Sequence, residues 1–230
     1  MTSRLFTFGL LFIAASRLAA DSITLDEHEV FGDTRWGVMP YFFATESLGT
    51  ALGAGAFIGG IRQPQSSLTA TAFTTNNESW LAAGSLNNLR FDGLDRWFFD
   101  IYALTAHFTD QRYYDSIDRS TQDSAGSNDS SPDDFLSGVS NDLHLEFTLR
   151  YPLAIGAARD DPLTIHRTRK GLLLSEPQGG AAWNPLQSGK TLVGARYFHR
   201  YRDLQEIERE ELLAVSTNGV EIWLDYDNTD

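Results

Sequence analysis

With 230 residues, a formal charge of −13, 42% hydrophobic and 12% aromatic residues and no cysteine, the chain has the size of one domain. The acidic balance argues against nucleic acid as a partner, and the lack of cysteine excludes disulfide staples, thiolate metal sites and thiol nucleophiles. Nineteen glycines, two methionines and many aromatic residues suit β structure.

Taken in order, residues 1–20 read as a signal peptide. Arg4 is the one charge before an apolar run over 5–15, Arg17 follows it closely, and Leu18-Ala19-Ala20 supplies small residues at a cleavage point. The run is shorter than the roughly 20 residues a membrane-spanning helix needs. An uncleaved anchor or a buried first helix is the alternative. Losing Arg4 and Arg17 makes the mature chain two charges more negative, about −15. Every later apolar run is soon interrupted by Asp, Glu, Arg, Asn or Gly, so a membrane could be crossed only by strands.

Residues 21–35 read as an acidic leader, and 36–230 as a partial outer-membrane β-barrel domain. Residues 36–44 form an aromatic strand; 48–61 follow, with Gly49, Gly53, Gly55 and Gly59 leaving one face nearly bare for another backbone or a lumen element. Residues 67–75 and 79–91 make a hairpin around Asn76-Asn77, and Asp92-Gly93-Leu94-Asp95 closes the next turn. The strand at 96–109 carries Trp97, Phe98, Phe99, Tyr102 and Phe108, a set that fits the girdles flanking a lipid-facing band, although a soluble sandwich core also collects aromatics. Residues 115–134 are a polar run without periodicity, too poor in apolar residues to pack a core, and the candidate for a long external loop.

The sidedness is clearest over 142–153. Leu143, Leu145, Phe147, Leu149 and Tyr151 alternate with Asp142, His144, Glu146, Thr148 and Arg150. Successive strand residues point to opposite faces, so one wall is lipid-facing and the other, with His144, Glu146 and Arg150, lumen-facing. Residues 154–190 are the least regular, with a basic cluster of Arg159, His166, Arg167, Arg169 and Lys170 read as a solvated loop face rather than a contact with lipid headgroups. Alternation resumes over 191–202. Arg196 and Arg200 are assigned to the lumen, because arginine against lipid costs about 2–4 kcal/mol at the midplane. Residues 205–213 are an acidic loop or short helix, and the last strand alternates Val220, Ile222, Leu224 and Tyr226 with Glu221, Trp223, Asp225 and Asp227.

Three segments carry a family likeness: Arg150-Tyr151-Pro152-Leu153-Ala154-Ile155-Gly156; Trp183-Asn184-Pro185-Leu186 followed by Ser188-Gly189-Lys190-Thr191; and Thr217-Asn218-Gly219-Val220 continuing to Tyr226-Asp227-Asn228-Thr229-Asp230. In this order they resemble the BamA/TamA family of outer-membrane barrels, also called the bacterial surface antigen family, in its members without POTRA domains. Trp183, Asn184, Pro185, Gly189, Gly219, Tyr226, Asp227 and Asp230 are the positions on which the likeness rests. The resemblance implies location in the cell outer membrane, a role in assembly or translocation of outer-membrane proteins, and a barrel of sixteen strands. At about 20–25 residues per strand and its connection, this chain holds about eight. The expectation is therefore an all-β, antiparallel transmembrane barrel or half-barrel, resembling the N-terminal half of a family member. Its partners are outer-membrane lipid and, at its open edges, a complementary half-barrel or second copy, unless it closes on itself.

The chemistry the residues offer is sparse. His28, His107, His144, His166 and His199 show no metal-ligand spacing, and there is no nucleophile elbow, P-loop or dinucleotide fingerprint. No catalytic, cofactor or metal site is assigned, and the chain is read as not an enzyme. Two other classes stay open: a soluble exported β-rich binding module, and a small lipid-modifying barrel enzyme, which a serine beside His107 or His144 would favour.

Overall fold

The computed structural model describes residues 22–45, 47–113, 136–175, 183–206 and 212–228. The expected signal peptide, the loop at 115–134, the middle of the acidic stretch at 205–213 and Asp230 lie outside the described residues. The strands are β1 (Ser22–Asp26), β2 (Arg35–Thr45), β3 (Gly49–Gly59), β4 (Ser67–Thr75), β5 (Trp80–Leu89), β6 (Phe98–Tyr113), β7 (Leu136–Pro152), β8 (Thr164–Arg169), β9 (Leu172–Leu173), β10 (Lys190–Glu206) and β11 (Leu212–Asp227). Among the described residues no helix is long and apolar enough to cross a membrane.

Eight strands form one antiparallel sheet in the order β11-β10-β7-β6-β5-β4-β3-β2. The strand count agrees with the expected half-barrel, but the sheet is open, with β2 and β11 at its edges and unpaired with each other among the described residues. Its strands run 9 to 17 residues, as long as or longer than a tilted membrane-crossing strand requires. β3 and β5 are shorter at both ends than expected, whereas β7 begins at Leu136 rather than near Asp142 and β11 at Leu212 rather than near Val220, so that strand takes in the end of the stretch read as an acidic loop or short helix.

A second, three-stranded sheet has the order β1-β8-β9. It corrects two expectations. The leader contains β1, paired in parallel with β8 from Ser22↔Thr164 to Asp26↔Thr168. The irregular stretch contains β8 and β9, joined at Lys170 and Gly171, whose φ of 52° and 81° suit a tight two-residue hairpin turn. Strands of six and two residues are too short to show periodicity, and a parallel partner some 140 residues away leaves no local signature.

Burial is inverted relative to an ordinary soluble domain. The buried hydrophobic residues among those described are Ile23, Leu25, Ala51, Phe98, Ala106 and Ala158, whereas Glu146, Arg150, Lys190, Asn88 and several hydroxyl residues are buried polar groups. Large apolar side chains lie outside instead: Phe42 is 83% exposed, Ile222 76% and Trp36 75%. A domain in water buries such residues.

Candidate functional site

The strand registers carry the alternation of each strand across the whole sheet. Starting from Phe147, directly opposite residues are Ile101 on β6 and Tyr197 on β10, then Leu86 on β5 and Val220 on β11. Beyond these come Leu68 on β4, Ile58 on β3 and Trp36 on the edge strand β2. Along this row one face is apolar from edge to edge, and Leu143, Leu145, Phe147, Leu149 and Tyr151 all lie on that face, which also carries a polar pair next to Leu145, His199 Nδ1 2.7 Å from Asn218 Oδ1. Aromatic residues gather toward its ends. At the end where β2 begins stand Trp36 and the ring pairs Phe91–Phe99 (4.8 Å), Trp97–Tyr151 (4.8 Å) and Trp183–Tyr226 (5.5 Å). Toward the other end lie Phe42, Trp80 and Tyr201, bordered by a polar row in which His107 Nδ1 is 2.8 Å from Asn141 Oδ1 and the Asn141 side-chain amide donates to Asp203 at 2.8 Å. On β7 the apolar stretch from Leu143 to Tyr151 covers nine residues, about 27 Å along the strand at the usual rise.

Next to the row of Ile58, Leu68, Leu86 and Ile101, β3 to β6 present mostly small groups on this face. Ala54, Ala56, Ala70, Ala72, Ala82, Gly84 and Ala103 form the floor of a shallow groove of about 490 Å³. The expected girdle on β6 divides between the faces. Trp97 and Phe99 stay on the apolar side, whereas Phe98, Tyr102 and Phe108 fall on the polar side, because successive residues of one strand point to opposite faces.

The opposite face joins all five residues assigned to the lumen. At one end Arg150, 6% exposed, donates from Nε to Asp100 Oδ2 (2.8 Å) and from Nη2 to Asp100 Oδ1 (2.9 Å) and Asn88 Oδ1 (2.8 Å). Asn88 reaches this pair because a bulge between Leu86 and Leu89 places it at φ 59°, and its own N–H donates to Asp100 Oδ1 at 2.8 Å. Further along, Glu146, 4% exposed, lies 2.8 Å from His144 Nε2, 3.5 Å from Arg196 Nη1 and 3.7 Å from Arg200 Nη2. Arg196 continues to Glu221 on β11, Nε to Oε2 at 3.0 Å, and Arg202 binds Asp142 through both nitrogens at 2.7 and 2.6 Å. The result is a ladder of opposite charges crossing β6, β7, β10 and β11, joined at one end by Asn88 of β5. Its mutual neutralisation is what lets carboxylates and guanidinium groups stay buried.

Large rings on this face lie over glycines of the neighbouring strand. Tyr41 covers Gly53, Trp223 covers Gly194 and Phe198 covers Gly219, each pair directly opposite in register. A β-carbon at any of the three glycines would strike the ring. The bare face expected of β3 is approached at Gly53 by the Tyr41 ring of β2 and by the backbone oxygen of Ala72 on β4.

The segments carrying the family likeness meet at the lower end of β7, β10 and β11. Gly156, at φ 55°, packs against the carbonyls of Pro185, Ser188 and Gly189, and Gly189, at φ 63°, packs against Asp227 O and the Tyr226 ring. Ala157 N donates to Gly189 O at 2.7 Å, Tyr226 Oη donates to Ser188 O at 3.3 Å, and Asn184 O accepts from the amides of Gln187 and Ser188. Pro185 and Asn184 shape this turn, Trp183 stacks edge-on to Tyr226, and Gly219 stands apart in mid-strand. Nothing in the separate sequence segments announced that they form one packed knot.

For chemistry, among the described residues no cluster of His, Cys, Asp and Glu could hold a metal ion. The contacts of His144 include Glu146, Arg200 and the Tyr102 ring, and His107 faces Asn141. Comparison with protein-family models, curated proteins and solved structures gave no match for this chain.

Proposed function

We propose that the chain is an integral outer-membrane β-protein that seats its apolar face in lipid and turns its charge ladder inward, acting, as the BamA/TamA resemblance implies, in assembly or translocation of outer-membrane proteins. One observation carries the membrane reading: a row of apolar residues that runs across all eight strands between two aromatic ends on one face, interrupted at the neighbouring row by the His199–Asn218 pair, with ion pairs on the opposite face of β6, β7, β10 and β11. A contiguous apolar surface of this extent marks a membrane or interaction surface rather than one exposed to water. The backbone groups of a spanning sheet must in turn be satisfied by neighbouring strands. The knot of Gly156, Gly189 and Tyr226 supports the family part of the reading, since it gives the three similar segments a common structural purpose.

Adjacent residues on opposite faces test it. Phe147→Arg places a charge among apolar neighbours at mid-strand, at a cost of about 2–4 kcal/mol in a bilayer, and is expected to abolish recovery of the chain in the outer-membrane fraction. Thr148→Arg, between Asp100 and Arg196 on the polar face, is expected to leave recovery intact. Equal fractionation of the two variants, or both soluble without detergent, would overturn the proposal in favour of a soluble module. The assembly role predicts a fall in folded, heat-modifiable outer-membrane barrels when the chain is depleted.

A further inference from the structure

The polar residues that border the apolar face, at the end where β6 finishes and β7 starts, form an ordered chain of hydrogen bonds. His107, Asn141 and Asp203 stand abreast on β6, β7 and β10. Asp203 Oδ1 accepts from both the backbone N–H and the side-chain amide of Asn141, each at 2.8 Å. This orients the amide. Its nitrogen faces Asp203, so its oxygen faces His107, whose Nδ1 at 2.8 Å carries the proton of that bond. In the neutral ring Nε2 then holds a lone pair. The same logic applies at His199: Asn218 Oδ1 accepts from Tyr197 Oη at 3.0 Å and lies 2.7 Å from His199 Nδ1, which leaves a lone pair on His199 Nε2.

The two pairs belong to one level. The upper limit of the apolar stretch moves from Phe42 on β2, in line with Asn141, to Val220 on β11, in line with Phe147. A membrane plane makes such a drift across strands that lean by about 35–45°. Under the membrane reading proposed above, on which this inference rests, the His199–Asn218 and His107–Asn141 pairs form one rim where the apolar band meets the lipid headgroups. The rim is rich in acceptors and carries an uncompensated charge. Asp203 has no cationic partner among the described residues; its Oδ2 meets the Tyr201 hydroxyl at 3.5 Å. Arg200 and Arg202 on the same strand turn to the opposite face, where they lie against Glu146 and Asp142.

We infer that the rim at Asp203 seats a lipid headgroup ending in a primary ammonium. The carboxylate complements its charge, and the Tyr201 ring, on the same face two residues away, offers a cation an aromatic surface. Asp203 Oδ2 and the imidazole lone pairs along the rim accept N–H donors, of which an ammonium has three. A bare phosphate would meet a carboxylate and lone pairs of its own kind. A metal ion fits less well, since among the described residues no cluster of His, Asp and Glu could hold one.

The test gives the purified full chain, in detergent, phosphatidylethanolamine, phosphatidylcholine or phosphatidylglycerol in turn and counts bound lipid by native mass spectrometry. Phosphatidylcholine keeps the positive charge but has no N–H, and phosphatidylglycerol lacks the cation. Charge-assisted hydrogen bonding predicts about tenfold tighter retention of phosphatidylethanolamine than of either. This lipid series needs no variant. Asp203→Asn keeps an oxygen for Asn141 and removes the charge, and is expected to bring the three lipids level. Asp225→Asn, a carboxylate on the opposite face, is expected to leave the preference intact. Equal retention of the three lipids by the unmodified chain, a preference for phosphatidylglycerol, a preference that persists in Asp203→Asn, or one that requires added magnesium would overturn the inference while leaving the membrane reading in place. A chain that retains no lipid and stays soluble without detergent would overturn both.

Discussion

Arg150 shows how a single side chain holds the polar face together. It is nearly buried, grips Asp100 with two nitrogens, touches Asn88, and lies 5.8 Å from the centre of the Phe98 ring. Removing one member of such a pair strands the other charge, at a cost of about 3–5 kcal/mol, whereas replacing both by apolar groups of similar size is close to neutral. Arg150→Met is therefore expected to lower the denaturant midpoint of the folded, detergent-resistant species sharply, and adding Asp100→Leu to restore most of it; a pair loss equal to the sum of two single losses would refute the coupling. The sequence placed Arg150 on the polar face through its period-two neighbours. It could not reveal Asp100 or Asn88 as partners, because these come from strands 50 and 62 residues away and one of them depends on a bulge.

Among the elements, the connection from β7 to β10 depends on two left-handed glycines. A β-carbon at Gly156 would stand 2.5 Å from Gly189 O and 2.8 Å from Pro185 O, with φ already at 55°. Both neighbours are backbone and cannot rotate away. Gly156→Ala is expected to destabilise by at least about 1–3 kcal/mol, and to open residues 153–189 to limited proteolysis before the long strands yield. The long strands themselves were legible, since nine to seventeen residues of alternation outlast local noise. The small sheet was not. Its pairing is parallel and long-range, so β1 passed for a leader and the β8–β9 hairpin for a basic loop.

For the molecule as a whole, the division into two faces followed from periodicity, while the open edges emerged only with the strand order. Wall construction also differs between its halves. From β3 to β6 the apolar face has, beside the row from Ile58 to Ile101, a floor of mainly alanine and glycine, and the polar face of β3 adds Ala51, Gly53, Gly55 and Gly59. From β7 to β11 the wall is braced by Glu146–Arg196–Glu221, Asp142–Arg202 and the Trp223 and Phe198 rings. Hydrogen exchange in detergent or bilayer should accordingly be faster in β3 and β4 than in β7 and β10; uniform protection would count against the distinction. An alanine floor has few interlocking side chains to resist shear, whereas ion pairs and rings tie neighbouring strands at several heights. The shallow groove thus marks the compliant side of the wall: in the proposed membrane setting, lateral pressure would bend β3 to β6 and leave β7, β10 and β11 moving as a stiff plate.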